Sequence, residues 1–174
     1  MSYAFDSGFT LAGGVSSTQT ADDDSVPGLL TEEGCDVYGI EAAYTAASWG
    51  VAVAYSDVED STNGDATYWG VNGTYAFDFA TLSVGLESED TGSTTKEGYF
   101  VGLSFPEVGA GSLDIGMGTT GNFADGDEET YIYEASYAYP VNDGMTITPG
   151  VYIREGSGTT ADQTGFALKT SFSF

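Results

Sequence analysis

"WGVAVAYS", residues 49–56, sets Trp49, Val51, Val53 and Tyr55 on one parity and Gly50, Ala52, Ala54 and Ser56 on the other. Successive side chains of a β-strand point to opposite faces, so this stretch reads as a strand with one bulky face and one small face. The alternation recurs along the chain. Phe9, Leu11 and Val15 carry it, then Tyr38, Ile40 and Tyr44, then Trp69, Val71, Tyr75 and Phe77. It continues through Leu82, Val84 and Leu86, through Tyr99, Val101, Leu103 and Phe105, and through Leu113, Ile115 and Met117. Tyr131, Tyr133, Tyr137 and Tyr139 follow, then Met145, Ile147, Val151 and Ile153, and last Phe166, Leu168, Phe172 and Phe174. No segment holds a 3.6-residue apolar stripe. The expectation is ten strands, with Tyr3 and Phe5 as the tail of one more, turning at Asp6-Ser7-Gly8.

The connections between these strands alternate in kind. Ala46–Ser48, the neighbourhood of Asp78, Glu107–Gly111 and Pro140–Gly144 are short, and Asp143-Gly144 is a favoured tight-turn pair. Thr20–Asp36, Asp57–Ala66, Glu87–Glu97, Gly121–Glu129 and Glu155–Gln163 are long, and acidic or rich in Ser, Thr and Gly. Tight turns on one rim and long loops on the other predict an up-and-down β-barrel.

Composition narrows the function. The chain of 174 residues has 27 acids, 3 bases and no histidine, for a net charge of −24. Phosphate binding needs the Lys and Arg that are missing, so nucleic acid is excluded as a partner. Without histidine, and with Cys35 alone, the usual zinc sets and Ser-His or Cys-His catalysis are excluded too, so no enzyme is expected. Cys35 has no partner for an internal disulfide and is either a free thiol or joined to another chain. No apolar run approaches the ~20 residues of a transmembrane helix, and residues 1–9 lack the basic and apolar regions of a signal peptide.

Alternation alone does not say whether the bulky face meets a protein core or lipid. Three features favour lipid. The other face is small rather than charged: Gly39, Ala43, Gly70, Gly102, Gly116 and Gly118. The bulky face carries no charge inside any strand; Asp36, Asp57, Glu97, Glu129 and Glu155 share its parity but fall at strand ends beside long loops. Aromatics crowd strand ends as interfacial girdles do: Trp49, Tyr55, Tyr68, Trp69, Tyr75, Phe77, Tyr99, Phe105, Tyr131, Tyr139, Phe172 and Phe174. The expected fold is therefore all-β, an antiparallel up-and-down transmembrane β-barrel of about ten strands.

The closing "LKTSFSF", Leu168–Phe174, ends on a bare Phe in an alternating strand. This resembles the C-terminal signature of bacterial outer-membrane proteins, and implies that the outer-membrane assembly machinery reads Phe174. "YFVGLSFPEVGAGSLDIGMGTTG", "YIYEASYAYPVNDGMTITPGVYIREG" and "DQTGFALKTSFSF" resemble the C-terminal region of cyanobacterial, particularly picocyanobacterial, outer-membrane porins. That type is similar to carbohydrate-selective porins and is described as iron-uptake porins. The resemblance covers Tyr99–Phe174 well and the first half in pattern. It implies an outer-membrane channel, a homotrimer, and a larger parent with a signal peptide and a periplasmic domain. On this reading residues 1–174 are one barrel domain, the C-terminal part of a larger porin barrel; a complete ten-stranded barrel is the alternative.

The candidate functional residues are the charges of the small face: Glu41, Glu87, Asp114, Glu134, Arg154 and Lys169. Opposed acidic and basic groups set the field in a pore, so these would bias passage of small polar solutes toward cations. The competing reading has them pair with one another or sit in bulk lumen water. Asp22, Asp23 and Asp24, and Asp125, Asp127, Glu128 and Glu129, are candidate calcium ligands, with Asp125, Asp127 and Glu129 the preferred set, because hard cations take clustered carboxylates, against a plain solvated loop. The runner-up function is a non-conducting acidic β-barrel or a calcium-binding adhesion module. No other cofactor is expected.

Overall fold

The computed structural model describes residues 1–18, 35–60, 64–121 and 123–173. The cysteine side chain and Phe174 lie outside the described residues, and so does much of the long connection after the first long strand. The strands are β1 (Ser2–Ala4), β2 (Phe9–Thr18), β3 (Cys35–Thr45), β4 (Trp49–Asp60), β5 (Ala66–Ala76) and β6 (Thr81–Asp90). They continue as β7 (Thr95–Val108), β8 (Gly111–Thr119), β9 (Phe123–Ala124), β10 (Tyr131–Asn142), β11 (Met145–Arg154) and β12 (Gln163–Phe172). All belong to one sheet in chain order, each pairing antiparallel with its neighbour, except that β9 pairs with β7 beyond the end of β8. The ten long strands are those expected, and β1 is the expected tail. The short β9, inside the 121–129 loop, has no alternation for the sequence to reveal.

Register keeps the two parities apart across the whole sheet. Phe9 lies opposite Tyr44, Tyr44 opposite Val51, and Val53 opposite Val71. Val71 lies opposite Leu86, Leu86 opposite Tyr99, and Val101 opposite Met117. Tyr133 continues the face to Ile153, and Val151 to Phe166. A one-residue slip anywhere would move a strand's bulky set to the other side. The described prolines mark the ladder's irregularities. The β7–β8 register shifts between Phe105 and Val108, around Pro106, and the β10–β11 register shifts between Pro140 and Asn142. Pro149, which has no N–H to give, falls in the β10–β11 gap between Gly150 and Ile147.

The sheet is a single curved layer, and its bulky face is covered by nothing. Among the described residues only Ala66 and Ala80 are buried hydrophobics. Val53 is 47% exposed, Leu168 62% and Phe166 68%. A soluble sandwich would bury these residues against a second sheet. Here the inner, concave side belongs to the small face: three cavities open onto side chains of that parity, from Ala12 and Glu41 at one end to Ala167 at the other. The bulky face is convex, as in a membrane barrel.

Two expectations need correction. The connection between β6 and β7 is not long: the strands extend through it and leave only residues 91–94. Thr91 N–H closes this turn onto the Thr94 carbonyl at 3.1 Å. Tyr68 does not join the convex girdle. It lies next to Trp69 in an extended strand and therefore on the concave face, opposite Ser56 and Glu89. The first turn is tight as expected: Gly8, at φ +86°, packs so closely that a Cβ would stand 2.4 Å from the Thr45 carbonyl oxygen.

No ladder joins β12 to β1 or β2 among the described residues; β12 pairs with β11 and β1 with Thr10–Ala12 of β2. The regular first-to-last ladder of a closed ten-stranded barrel is thus not among the pairings present.

The face assignment is tested by a neighbouring pair of substitutions. Val51→Lys places a charge in the middle of the convex face, at about 2–4 kcal/mol in lipid, and should prevent membrane assembly. Ala52→Lys, on the concave face, should assemble normally by heat-modifiable gel mobility. Equal behaviour of the two would overturn the assignment.

Candidate pore-lining face

Cross-strand register places all six candidate charges on the concave face. Glu41 lies opposite Ala12 and Ala54; Ala54 lies opposite Gly70, and Gly70 opposite Glu87, so the two glutamates share one row of the sheet. Asp114 lies opposite Ser104 and Ser136, and Glu134 opposite Gly116 and Tyr152. Arg154 lies opposite Ile132 and Gln163, and Lys169 opposite Thr148. The acids thus occupy β3 to β10 and the two bases β11 and β12.

These charges do not neutralise one another. Among the described residues the only salt bridge joins Lys96 to Glu89, 3.8 Å apart. Asp114 accepts a hydrogen bond from the Ser104 hydroxyl across the β7–β8 pair. Glu41, Glu87, Glu134, Arg154 and Lys169 make no ion pair and face the concave side, with Glu41 lining a cavity of about 700 Å³. The pairing reading of these groups therefore fails in this geometry.

The Lys96–Glu89 pair is part of a small ladder. Tyr68, Glu89 and Lys96 are register neighbours on β5, β6 and β7, and the Tyr68 hydroxyl donates to Glu89 Oε1 at 3.0 Å. It stands where β6 and β7 rise past the rim. Sequence reading overlooked Lys96 because it fell inside the presumed long loop.

The convex face carries two aromatic bands. Near the short turns, Tyr44 packs on Trp49 at 5.2 Å and Tyr75 on Phe77 at 4.7 Å. Phe79 bridges Phe77 and Phe105 at 5.9 and 6.5 Å. Near the long connections lie Tyr55 and Trp69, paired in register, and Tyr99, Tyr131 and Tyr133, whose rings adjoin at 6.0 and 6.4 Å. Trp49 and Tyr55, Tyr75 and Trp69, Phe105 and Tyr99, and Tyr139 and Tyr133 are each six residues apart. The bands therefore stand about 20 Å apart along each strand. Phe172, opposite Met145, shares the face of the first band.

Carboxylates cap the second band on its loop side. Tyr55 donates to Asp57 at 3.1 Å, Tyr131 to Glu129, and Tyr133 to Glu155 at 3.2 Å. The same loops tie themselves together: Glu128 accepts from the Ser157 hydroxyl and from Gly158 N–H at 2.8 Å. Asp127 accepts from Ala124 N–H, closing its own turn. Of the candidate calcium ligands, Asp125, Asp127 and Glu129 do not converge, and Asp22, Asp23 and Asp24 lie outside the described residues. Among the described residues no group of three or more such side chains is arranged to hold a metal.

Comparison with known proteins agrees with this geometry. A family model described as Gram-negative porin matches residues 1–163. The chain belongs to the Gram-negative porin family. The match takes in the first half of the chain, where the cyanobacterial resemblance was one of pattern alone. A porin solved at 1.8 Å resolution superposes with a TM-score of 0.73 at 15% identity, over 99% of this chain and 60% of that one. The chain thus spans about 60% of that porin's length. The KdgM porin superposes with a TM-score of 0.50 at 10% identity, over 100% of this chain and 89% of that one. At such identities the likeness is one of fold. No curated protein matches the sequence. Family membership places the chain in the outer membrane and outside the enzymes.

The half-buried, solvent-accessible Glu89–Lys96 pair should contribute little. A double-mutant cycle of Glu89→Gln with Lys96→Met, read by urea unfolding from vesicles, should return a coupling of at most about 1 kcal/mol. A larger value would make the ladder a principal support of the rim.

Proposed function

We propose that this chain forms wall of a passive outer-membrane channel for small polar solutes, with a preference for cations. The observation that carries this reading is the division of the sheet. The convex face is bulky, exposed and uncharged between its aromatic bands, while the concave face holds four carboxylates, Glu41, Glu87, Asp114 and Glu134, that no base neutralises. A lipid-facing exterior around a polar, charged interior is what a conducting barrel needs.

Cation preference follows from charge. The long connections concentrate acids at one mouth, and a field of that sign enriches cations within a Debye length of ~8 Å at physiological salt. On the concave face itself, Glu41, Glu87, Glu89, Asp114 and Glu134 outnumber Lys96, Arg154 and Lys169, and Lys96 is already engaged by Glu89. Finer points rest on the resemblance of Tyr99–Phe174: a cyanobacterial origin, a carbohydrate-selective or iron-uptake type, a homotrimer, and Phe174 as the mark read by the assembly machinery. The same resemblance supports reading residues 1–174 as one stretch of a larger barrel.

Planar-bilayer reconstitution tests the proposal. Stepwise conductance is expected, with a reversal potential of cation-selective sign in a KCl gradient that shrinks as salt rises. Glu87→Gln combined with Glu134→Gln should reduce the selectivity, since both line the same concave cavity. Anion selectivity would overturn the cation preference and make Arg154 and Lys169 the controlling charges; absence of conductance would overturn the channel itself.

A further inference from the structure

Besides Tyr68, the concave face carries two aromatic rings where a water-facing wall would be expected to hold small or polar groups. Phe100 sits between Tyr99 and Val101 in an extended strand, so its ring is on the side opposite theirs. It lies flat across a cross-strand glycine pair. A Cβ built at Gly102 would stand 2.7 Å from Phe100 Cζ, and one at Gly116 would stand 3.1 Å from Cε2. Tyr152 does the same on the far side: a Cβ at Gly165, its register partner on β12, would come within 2.1 Å of its ring. Glycine thus gives each ring a backbone floor, leaving the other ring face open; Phe100 remains 48% exposed.

Between the rings stands a carboxylate. Gly102, Gly116, Glu134, Tyr152 and Gly165 form one register row across five strands. Directly paired residues have Cβ atoms ~5 Å apart. Glu134 is therefore next to the glycine under Phe100 on one side and next to Tyr152 on the other. Both rings, Glu134 and Asp114 line a single cavity of about 300 Å³. Phe100 and Glu134 also border the adjoining cavity of about 380 Å³, which Glu87 enters from β6. Glu134 has no ion-pair partner, although Arg154 is the next concave-face residue after Tyr152.

Ring faces are attractive to cations and most so to alkylated ammonium groups, whose charge is spread over an apolar shell. A carboxylate beside them supplies the compensating charge, and the glycine floor admits a group of some bulk. We propose that the cavity walled by Phe100, Glu134 and Tyr152 is a binding site for small organic cations, of the alkylammonium or quaternary ammonium class. A neutral sugar would also stack on the rings, but it would leave Glu134 and Asp114 without a counter-charge. Inorganic cations would use the carboxylates and ignore the rings.

The proposal draws on the channel reading only for the water that fills the concave side. Its test is equilibrium binding to the folded chain in detergent, which needs no conductance, so the two readings fail separately. Tetramethylammonium chloride, followed by ligand line broadening in NMR, should bind saturably and be displaced poorly by an equal concentration of potassium. Phe100→Leu and Tyr152→Leu should each weaken binding about three- to five-fold, the size of an exposed cation–π contact. Glu134→Gln should weaken it at least as much. Gly102→Ala keeps every ring and charge but lifts Phe100 from its floor, and should weaken binding in a protein whose heat-modifiable mobility shows it folded. Thr74→Ala, on the same face of β5, should leave binding unchanged. Binding that responds to Glu134→Gln but to neither ring substitution would overturn the proposal, as plain ion condensation. So would equal competition by potassium, saturation by glucose in place of the ammonium ion, or no saturable binding at all.

Discussion

Hydrocarbon offers a backbone amide nothing to bond with, and that constraint organises the rest of this molecule. Each unsatisfied N–H or C=O in lipid costs several kcal/mol, so a chain without membrane-spanning helices must cross as paired strands. The observed sheet obeys this with near-unbroken ladders from β2 to β12, and its irregularities gather where proline withholds a donor. The same constraint makes register strict. Where one face meets lipid and the other water, a slip of one residue would put Glu41, Glu87 or Glu134 into hydrocarbon.

The hydrophobic effect acts here in the reverse sense from a soluble domain. Val53, Leu86, Phe166 and Leu168 are large, apolar and exposed, and among the described residues the sheet buries almost no apolar side chain of its own. Stability has to come from the bilayer as solvent and from main-chain pairing rather than from an interior core. The aromatic bands fit this division, since rings with a polar edge or polar neighbours settle where hydrocarbon gives way to headgroups. Tyr55, Tyr131 and Tyr133 each hand their hydroxyl to a carboxylate on the loop side, so the ring stays with lipid and the proton donor with water.

Relieved of filling a core, the concave face is free to carry chemistry. Its glycines let Phe100 and Tyr152 lie flat against the wall rather than project across the lumen. Glu41, Glu87, Asp114 and Glu134 stay without an ion pair because Lys96 is engaged by Glu89, and Arg154 and Lys169 belong to the last two strands. On the proposed channel reading, permeation and selectivity would depend on one face of one sheet, while the opposite face answers to the membrane alone.

The one-dimensional pattern determined the strands and their faces. Trp49-Gly50-Val51-Ala52 and its counterparts fix a period of two, and period two assigns every candidate charge to the face opposite the bulky residues. Composition alone set the expectation against zinc, nucleic acid and His-dependent catalysis. Parity also held the positions of Phe100 and Tyr152, but bulky neighbours on both sides concealed them; Tyr68, beside Trp69, was counted with the girdle. What tertiary structure alone decided was which residues become neighbours across strands and how far the strands extend. The sequence does not say that Glu134 stands between two rings, that Asp114 meets Ser104, or that β6 and β7 run on through an acidic stretch to a four-residue turn. Strand order, register and curvature bring together residues from 10 positions apart, as Ser104 and Asp114, to 52 apart, as Phe100 and Tyr152, and alternation is a local signal that carries no information about such distances.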